Sequence, residues 1–277
     1  MQFPVVTKHL AERLEQSEID YMVSRVSAIR EREGNPEGAE FKKFGHSTAF
    51  YIKTMPWGTF NTVKGITLDD SDLLDEIIDF YHKRDRQCQF EIIPSKSSPE
   101  LFQRLASKGF YQNAFHTSMY GLPNFVSPTY PANLRIREIE ENEFELYGKL
   151  HCLGSGLAES GAKYVAANNQ ILFGRSGWRF FIGFINETAA GVAVMHINNG
   201  IASMTFAATL PAYRGQGLQS AFIHKRMHEA ALENCELVVS QCAYASTSQN
   251  NMERAGMRIG YTRATWIETR RSSTHGH

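Results

Sequence analysis

Three of the nine prolines fall close together, in the stretch Leu122-Pro123-Asn124-Phe125-Val126-Ser127-Pro128-Thr129-Tyr130-Pro131-Ala132. Proline fixes φ and has no N–H to give, so a run spaced this tightly stops helix and sheet alike. The stretch reads as an extended linker that cuts the chain near its middle. It predicts a unit over residues 1–124, a connection over 125–133 and a second unit over 134–269, followed by a disordered tail, 270–277. A chain of 277 residues agrees with two such units, and 42% hydrophobic residues suffice for a core in each. Twenty-nine basic residues are balanced by 29 acidic ones. No stripe of positive charge offers itself to nucleic acid or an anionic membrane. No apolar run approaches the ~20 residues of a membrane span, and the charged N-terminal segment is unlike a secretory signal. These features predict a cytoplasmic protein, with monomer and homodimer both open. Cys88, Cys152, Cys235 and Cys242 form no C-x-x-C pair and read as reduced, buried thiols; the histidines show no metal-ligand spacing.

Periodicity predicts a mixed α/β protein. Before the linker come helices over 7–33, 71–84 and 99–108, with strands at Ala49–Ile52, Phe90–Ile93 and Ala114–Tyr120. After it, the order is strand (134–137), two helices (141–154, 160–172) and three strands (178–185, 189–197, 201–209). A helix (217–232), a strand (236–240), a short helix (248–255) and a last strand (258–268) complete it. Asn198-Asn199-Gly200 supplies a tight hairpin turn. The two halves echo each other: a helix ending Lys108-Gly109-Phe110 and another ending Ala255-Gly256-Met257 each follow one strand and precede another. The two glycines are 147 residues apart, which predicts two related folds in tandem.

The most informative segment is Thr209-Leu210-Pro211-Ala212-Tyr213-Arg214-Gly215-Gln216-Gly217-Leu218-Gln219-Ser220, between a strand and an amphipathic helix. Gly215 and Gly217 allow backbone geometry that side chains forbid, so successive N–H groups can converge at the positive end of the helix. Such a turn suits a phosphate, with Arg214 adding a cation. A plain turn before a surface helix is the bland alternative. There is no Walker-type G-x-x-x-x-G-K-[ST]. The turn also comes after hairpin strands, late in its unit, where a dinucleotide-binding fold would have it early.

Arg214-Gly215-Gln216-Gly217-Leu218-Gln219, with Pro211 before it, resembles the acyl-CoA motif [QR]-x-x-G-x-[GA] of the GNAT superfamily of acyl-CoA-dependent N-acyltransferases. Asn251-Met252-Glu253-Arg254-Ala255-Gly256-Met257 resembles a second segment of that family. The resemblance covers about half the chain. It implies two GNAT-like domains, each a mixed, mostly antiparallel sheet flanked by helices, with a degenerate first domain. It implies acetyl-CoA as co-substrate, no metal, and direct attack of an amine on the thioester in a ternary complex. By the same resemblance, the backbone of Ala208, Thr209 and Leu210 pairs with the pantetheine arm. Amides from Arg214, Gly215, Gln216, Gly217, Leu218 and Gln219 hold the pyrophosphate, and Asn251 or Asn250 bonds the arm. An N–H near Ala208 polarises the thioester carbonyl.

The chain departs from the family at Gln219, where Gly or Ala is usual, and at Met252, which stands where a proton-donating Tyr is expected. Tyr244 is the substitute candidate for the acid. Glu159 is the candidate for the base or for binding a cationic acceptor, with His196 as an alternative. Capping and solvation are the plainer role for Glu159, and core packing for His196. At the 147-residue offset the glycine turn falls on Thr67-Leu68-Asp69-Asp70-Ser71-Asp72. Carboxylates there would repel phosphate and suit a helix N-terminus instead. The first half then serves to wall the acceptor cleft, together with residues 151–175. Tyr164, Leu172 and Phe173 either line that cleft or fill the core. The acceptor, by default a small-molecule amine, has no diagnostic pattern. A non-catalytic acyl-CoA sensor and an enzyme for another acyl-CoA are the other readings.

Overall fold

The structure is a computed structural model and describes residues 3–269; the tail expected over 270–277 lies outside them. In chain order the elements are α1 (Lys8–Arg30), β1 (Ala39–Phe44), β2 (Ser47–Ile52), β3 (Val63–Lys64), α2 (Leu74–His82), β4 (Gln89–Ile92), α3 (Pro99–Ser107) and β5 (Phe110–Gly121). After the linker come β6 (Leu134–Glu138), α4 (Phe144–Gly154), α5 (Ala162–Gln170), β7 (Trp178–Ile185), β8 (Thr188–Asn198), β9 (Ile201–Thr209), α6 (Leu218–Leu232), β10 (Leu237–Cys242), α7 (Thr247–Arg254) and β11 (Arg258–Glu268).

Local chemistry explains several boundaries. The Thr7 and Ser98 hydroxyls accept from the N–H groups of Leu10 and Leu101, capping α1 and α3. Pro99 occupies the first turn of α3, where its missing N–H costs nothing. Gly109 and Gly256 end α3 and α7 in the left-handed region, at φ +84° and +87°. β1 and β3 escape the sequence reading. β1 (AEFKKF) is rich in charge and β3 is two residues long, so neither carries a clear period-2 pattern.

All eleven strands belong to one sheet, ordered β1-β2-β3-β4-β11-β5-β10-β9-β8-β7-β6. The two halves therefore do not each close a sheet of their own. β11, from the C-terminal half, lies between β4 and β5 of the N-terminal half. β5 in turn lies between β11 and β10. These two strands pair antiparallel from Arg258↔Tyr120 to Glu268↔Phe110, at the centre of the internal repeat. Each half thus supplies a strand to the middle of the other. α1, α4 and α5 cover one face, where Tyr147, Phe144, Phe180 and Val26 are buried. α6 covers the other, with Leu218, Phe222, Phe181 and Met119. The linker has no regular structure but is tied down: Asn124 N donates to Met227 O (3.0 Å), and Tyr130 packs beside the α6 core. All four cysteines are buried and unpaired. Among the described residues no helix is long and apolar enough to cross a membrane.

Candidate acyl-CoA cleft

β9 and β10 run parallel but pair only at Ile201, Ala202 and Ser203, opposite Leu237, Val238 and Val239. The cause of their separation lies on β9. Its register with β8 slips between Val194↔Phe206 and His196↔Ser203, so Met204 and Thr205 stand against a single residue of β8. That is a β-bulge, which bends a strand and re-aims it. Arg226, buried in α6, consolidates the bulge: its guanidinium donates to Val194 O (3.2 Å), Phe206 O (3.1 Å) and Phe222 O (3.0 Å). Past the bulge, the edge of β9 that would face β10 has no strand to meet, leaving backbone donors and acceptors for an added chain.

The gap is a cleft of about 710 Å³. Met204 through Thr209 form one wall; Ser240 and Gln241 of β10 and Thr247, Ser248, Asn251 and Met252 of α7 form the other. Its outer end is the turn from Tyr213 to Ser220. Gly217 is the N-cap of α6 at φ +85° and brings no side-chain cap; the first helical amide with a partner there is Ala221, bonded to Gly217 O (3.0 Å). The amides of Leu218, Gln219 and Ser220 are the ones a helix start leaves for something else to satisfy. A Cβ on Gly215 or Gly217 would meet nothing within 4 Å, so the turn is open as well as left-handed. Beside the turn Gly154 closes α4 onto the end of β9. A Cβ there would stand 2.8 Å from Ala208 Cβ and 3.3 Å from Thr209 N, so only glycine lets the helix come this near.

Of the residues singled out by the sequence, the cleft brings together Ala208, Thr209, Arg214, Gly215, Gly217, Leu218, Gln219 and Asn251. Leu210 and Gln216 do not line it; Leu210 N is bonded to Ala190 O (2.8 Å) and Gln216 is exposed. The Arg214 guanidinium turns inward, onto Gly154 O (2.9 Å) and Thr209 O (3.3 Å), where it pins the turn to α4. Gln219 does not cross the turn: its Nε2 donates to Thr209 Oγ1 (2.9 Å). Met252 is buried in the core beneath α6. Glu159 sits exposed in a 3-10 turn, and Tyr244 is 64% exposed; neither lines the cleft. His196 is buried against Trp178, and burial holds it at about pKa 4. Leu172 is fully buried in the core, Phe173 packs on Phe144, and Tyr164 is 69% exposed.

Sequence reasoning missed Arg226, whose role depends on a bulge no local pattern announces. It missed His151 of α4 too, which stacks flat on Phe206 at 3.8 Å, with 6° between the rings. Burial, and secondarily Arg25, holds its imidazole down to about 3, so it packs as a neutral aromatic ring. Among the described residues no cluster of His, Cys, Asp or Glu is suited to a metal ion.

The sheet with its parted strands and glycine turn is the fold of the GCN5-related N-acetyltransferases, in tandem. The chain is similar to a GCN5-related N-acetyltransferase from Kribbella flavida at 13% identity, over 95% of this chain and 97% of that one, with a TM-score of 0.68. It is similar to a tandem GNAT protein from the clavulanic acid biosynthesis pathway at 13% identity, over 95% and 97% of the two chains, with a TM-score of 0.63. An N-acetyltransferase of the same class from Sphaerobacter thermophilus aligns at 12% identity, over 92% and 90%, with a TM-score of 0.58. No family model and no curated protein matches the sequence.

Proposed function

We propose that the chain is an acyl-CoA-dependent N-acetyltransferase whose coenzyme site lies in the second half. The observation that carries this reading is the conjunction, in one cleft, of an unpaired strand edge and a helix start with uncapped amides. The first suits the amide groups of a pantetheine arm, the second a pyrophosphate. Ala208 and Thr209 supply the strand edge, and the backbone from Arg214 through Gln219 supplies the phosphate cradle; Leu210, bonded back to Ala190, takes no part. Arg214 contributes chiefly by fixing the turn. Asn251 borders the path of the arm. The acyl group then lies deep in the gap, near Thr205 and Gln241, and an amine attacks its carbonyl carbon directly, without a covalent enzyme intermediate. Glu159 and Tyr244 could serve as base and acid only by swinging in from solvent.

Calorimetric titration with acetyl-CoA tests the reading, with Ser220→Glu as control. Position 220 lies in the first turn of α6, where a carboxylate suits the helix dipole but repels phosphate. Saturable binding that weakens about a hundredfold in the folded variant supports the site; no binding by the parent chain overturns it. Release of free thiol from acetyl-CoA in the presence of amines separates an enzyme from a sensor.

A further inference from the structure

A second cavity, of about 430 Å³, lies at the seam between the halves. Its wall combines Tyr21 and Met22 of α1, Asn113 to His116 of β5, the Gly58–Thr59 turn and Thr265 of β11. Thr205 and Gln241 line it too, and both also line the coenzyme cleft. The two cavities therefore meet where β9 and β10 part. Thr205 Oγ1 and Gln241 Nε2 are buried there without a hydrogen-bond partner, which a folded protein tolerates where a ligand or water completes the bonding.

The seam cavity is floored by four buried charges. Lys64 Nζ is 3.0 Å from Glu18 Oε1 and also bonded to Glu91; Arg263 Nη1 is 2.6 Å from Glu18 Oε2, and its Nε is 2.9 Å from Glu91 Oε2. Their formal charges cancel. Burial alone would raise Glu91, but Arg263 and Lys64 outweigh it and hold its carboxyl at about 2. Being bonded to each other, these groups are not at leisure to take a proton. His116 is. It stands directly opposite Arg263 in the β5–β11 ladder and reaches the cavity wall only partly buried.

We propose that the seam cavity is the acceptor site, that it takes a small polar primary amine, and that His116, on the strand the first half inserts, removes the proton from that amine. This rests on the acetyltransferase reading above. The lining favours such a substrate: the charges are balanced, and Gln89, Asn113, Gln241, Thr59, Thr205 and Thr265 present amides and hydroxyls. An alkyl chain would leave the buried Thr205 Oγ1 and Gln241 Nε2 unbonded, and a polycation would find no net negative charge.

The groups facing His116 fix its state. Desolvation lowers its pKa, Arg263 of β11 and Lys64 of β3 lower it further, and Glu91 of β4 and Glu18 of α1 oppose them; the net shift is downward. The imidazole is therefore neutral near pH 7 and ready to accept. In the reaction, the ammonium gives one proton to His116. The amine nitrogen then bonds to the acetyl carbonyl carbon and the carbon–sulfur bond breaks. The sulfur leaves with the electron pair and takes the second proton lost by nitrogen. Imidazolium returns the first proton to water. The products are the amide, the free thiol of CoA and one proton.

Bromoacetyl-CoA provides a test that needs no known acceptor. A neutral nitrogen beside the acyl carbon displaces its bromide and forms a stable N–C bond, which peptide mass spectrometry locates. A single adduct on His116, suppressed by excess CoA and lost in His116→Gln while calorimetry shows unchanged CoA binding, is expected. An adduct at another residue, or none while CoA binds, overturns the proposal. Failure to bind CoA at all overturns the coenzyme reading and this inference with it. Turnover supplies the second readout, with ethanolamine, serine and glucosamine set against hexylamine and spermidine. His116→Gln should slow the polar amines about a hundredfold but spare hydroxylamine, which is largely uncharged at neutral pH. Equal slowing of both kinds of nucleophile, or preference for hexylamine or spermidine, overturns it.

Discussion

The turn before α2 and the turn before α6 stand at matching places in the internal repeat and are built in opposite ways. The first, Leu68–Leu73, is a 3-10 turn closed by Asp70: its carboxylate accepts from Thr67 N (3.4 Å) while its own N–H donates to Thr67 O (3.2 Å). Asp70 is buried and accepts from Ser47 Oγ (2.7 Å) and His46 N (2.9 Å) as well. The second turn has no cap, no carboxylate and two left-handed glycines facing open space. A helix start must have its N–H groups satisfied by something. In the first half that something is the protein; in the second no side chain caps the helix and the first-turn amides of Leu218, Gln219 and Ser220 have no protein partner. One supersecondary unit thus starts its helix closed or open according to whether an acidic side chain or a glycine occupies the turn.

The comparison is open to attack from both sides. Replacing Asp70 by Ala should have the largest effect on folding, a loss of about 3 kcal/mol in denaturant unfolding, since it orphans several buried donors at once. Acetyl-CoA affinity should stay unchanged; a loss of binding would mean that the first turn is not a scaffold. Ser220→Glu should do the reverse, weakening acetyl-CoA about a hundredfold, or about 2.7 kcal/mol, with an unaltered melting temperature.

His151 sharpens the contrast between packing and chemistry. A histidine whose folded pKa is depressed to about 3 binds protons more readily when unfolded. Stability should therefore fall as pH drops from the ordinary histidine range toward 3. By about pH 5, His151→Phe should remove about 2 kcal/mol of that acid sensitivity, read from melting curves at stepped pH. The smallest effects belong to the paired caps. Gly109→Ala and Gly256→Ala each place a Cβ in open space at positive φ, so each should cost only the left-handed strain, about 1 kcal/mol. Markedly unequal costs would show that the halves are less alike at these positions than their geometry suggests.

Much of this was legible in the residues. β7, β9 and β11 fall where alternation places them, and the glycine turn marks the start of α6. The repeat was visible as well: at the 147-residue offset, α3 and β5 fall on α7 and β11 to within about a residue. Those signals are local, because period, caps and left-handed glycines act within a few residues. The bulge on β9 was not legible, since a residue gained against a neighbouring strand exists only once the strands are paired. Arg226 was invisible for the same reason.

The sequence by itself determined that the chain is two related α/β halves, that the second carries a glycine turn at the start of its helix, and that the first has carboxylates in its place. Only the tertiary structure decided that the halves share one sheet by lending each other a strand. It decided that Arg214 turns its guanidinium onto Gly154 O and Thr209 O, and that Glu18, Lys64, Glu91 and Arg263 meet at the seam beside His116. Those residues are separated by up to 245 positions along the chain. Their meeting is set by strand order and register, which non-local pairing alone fixes.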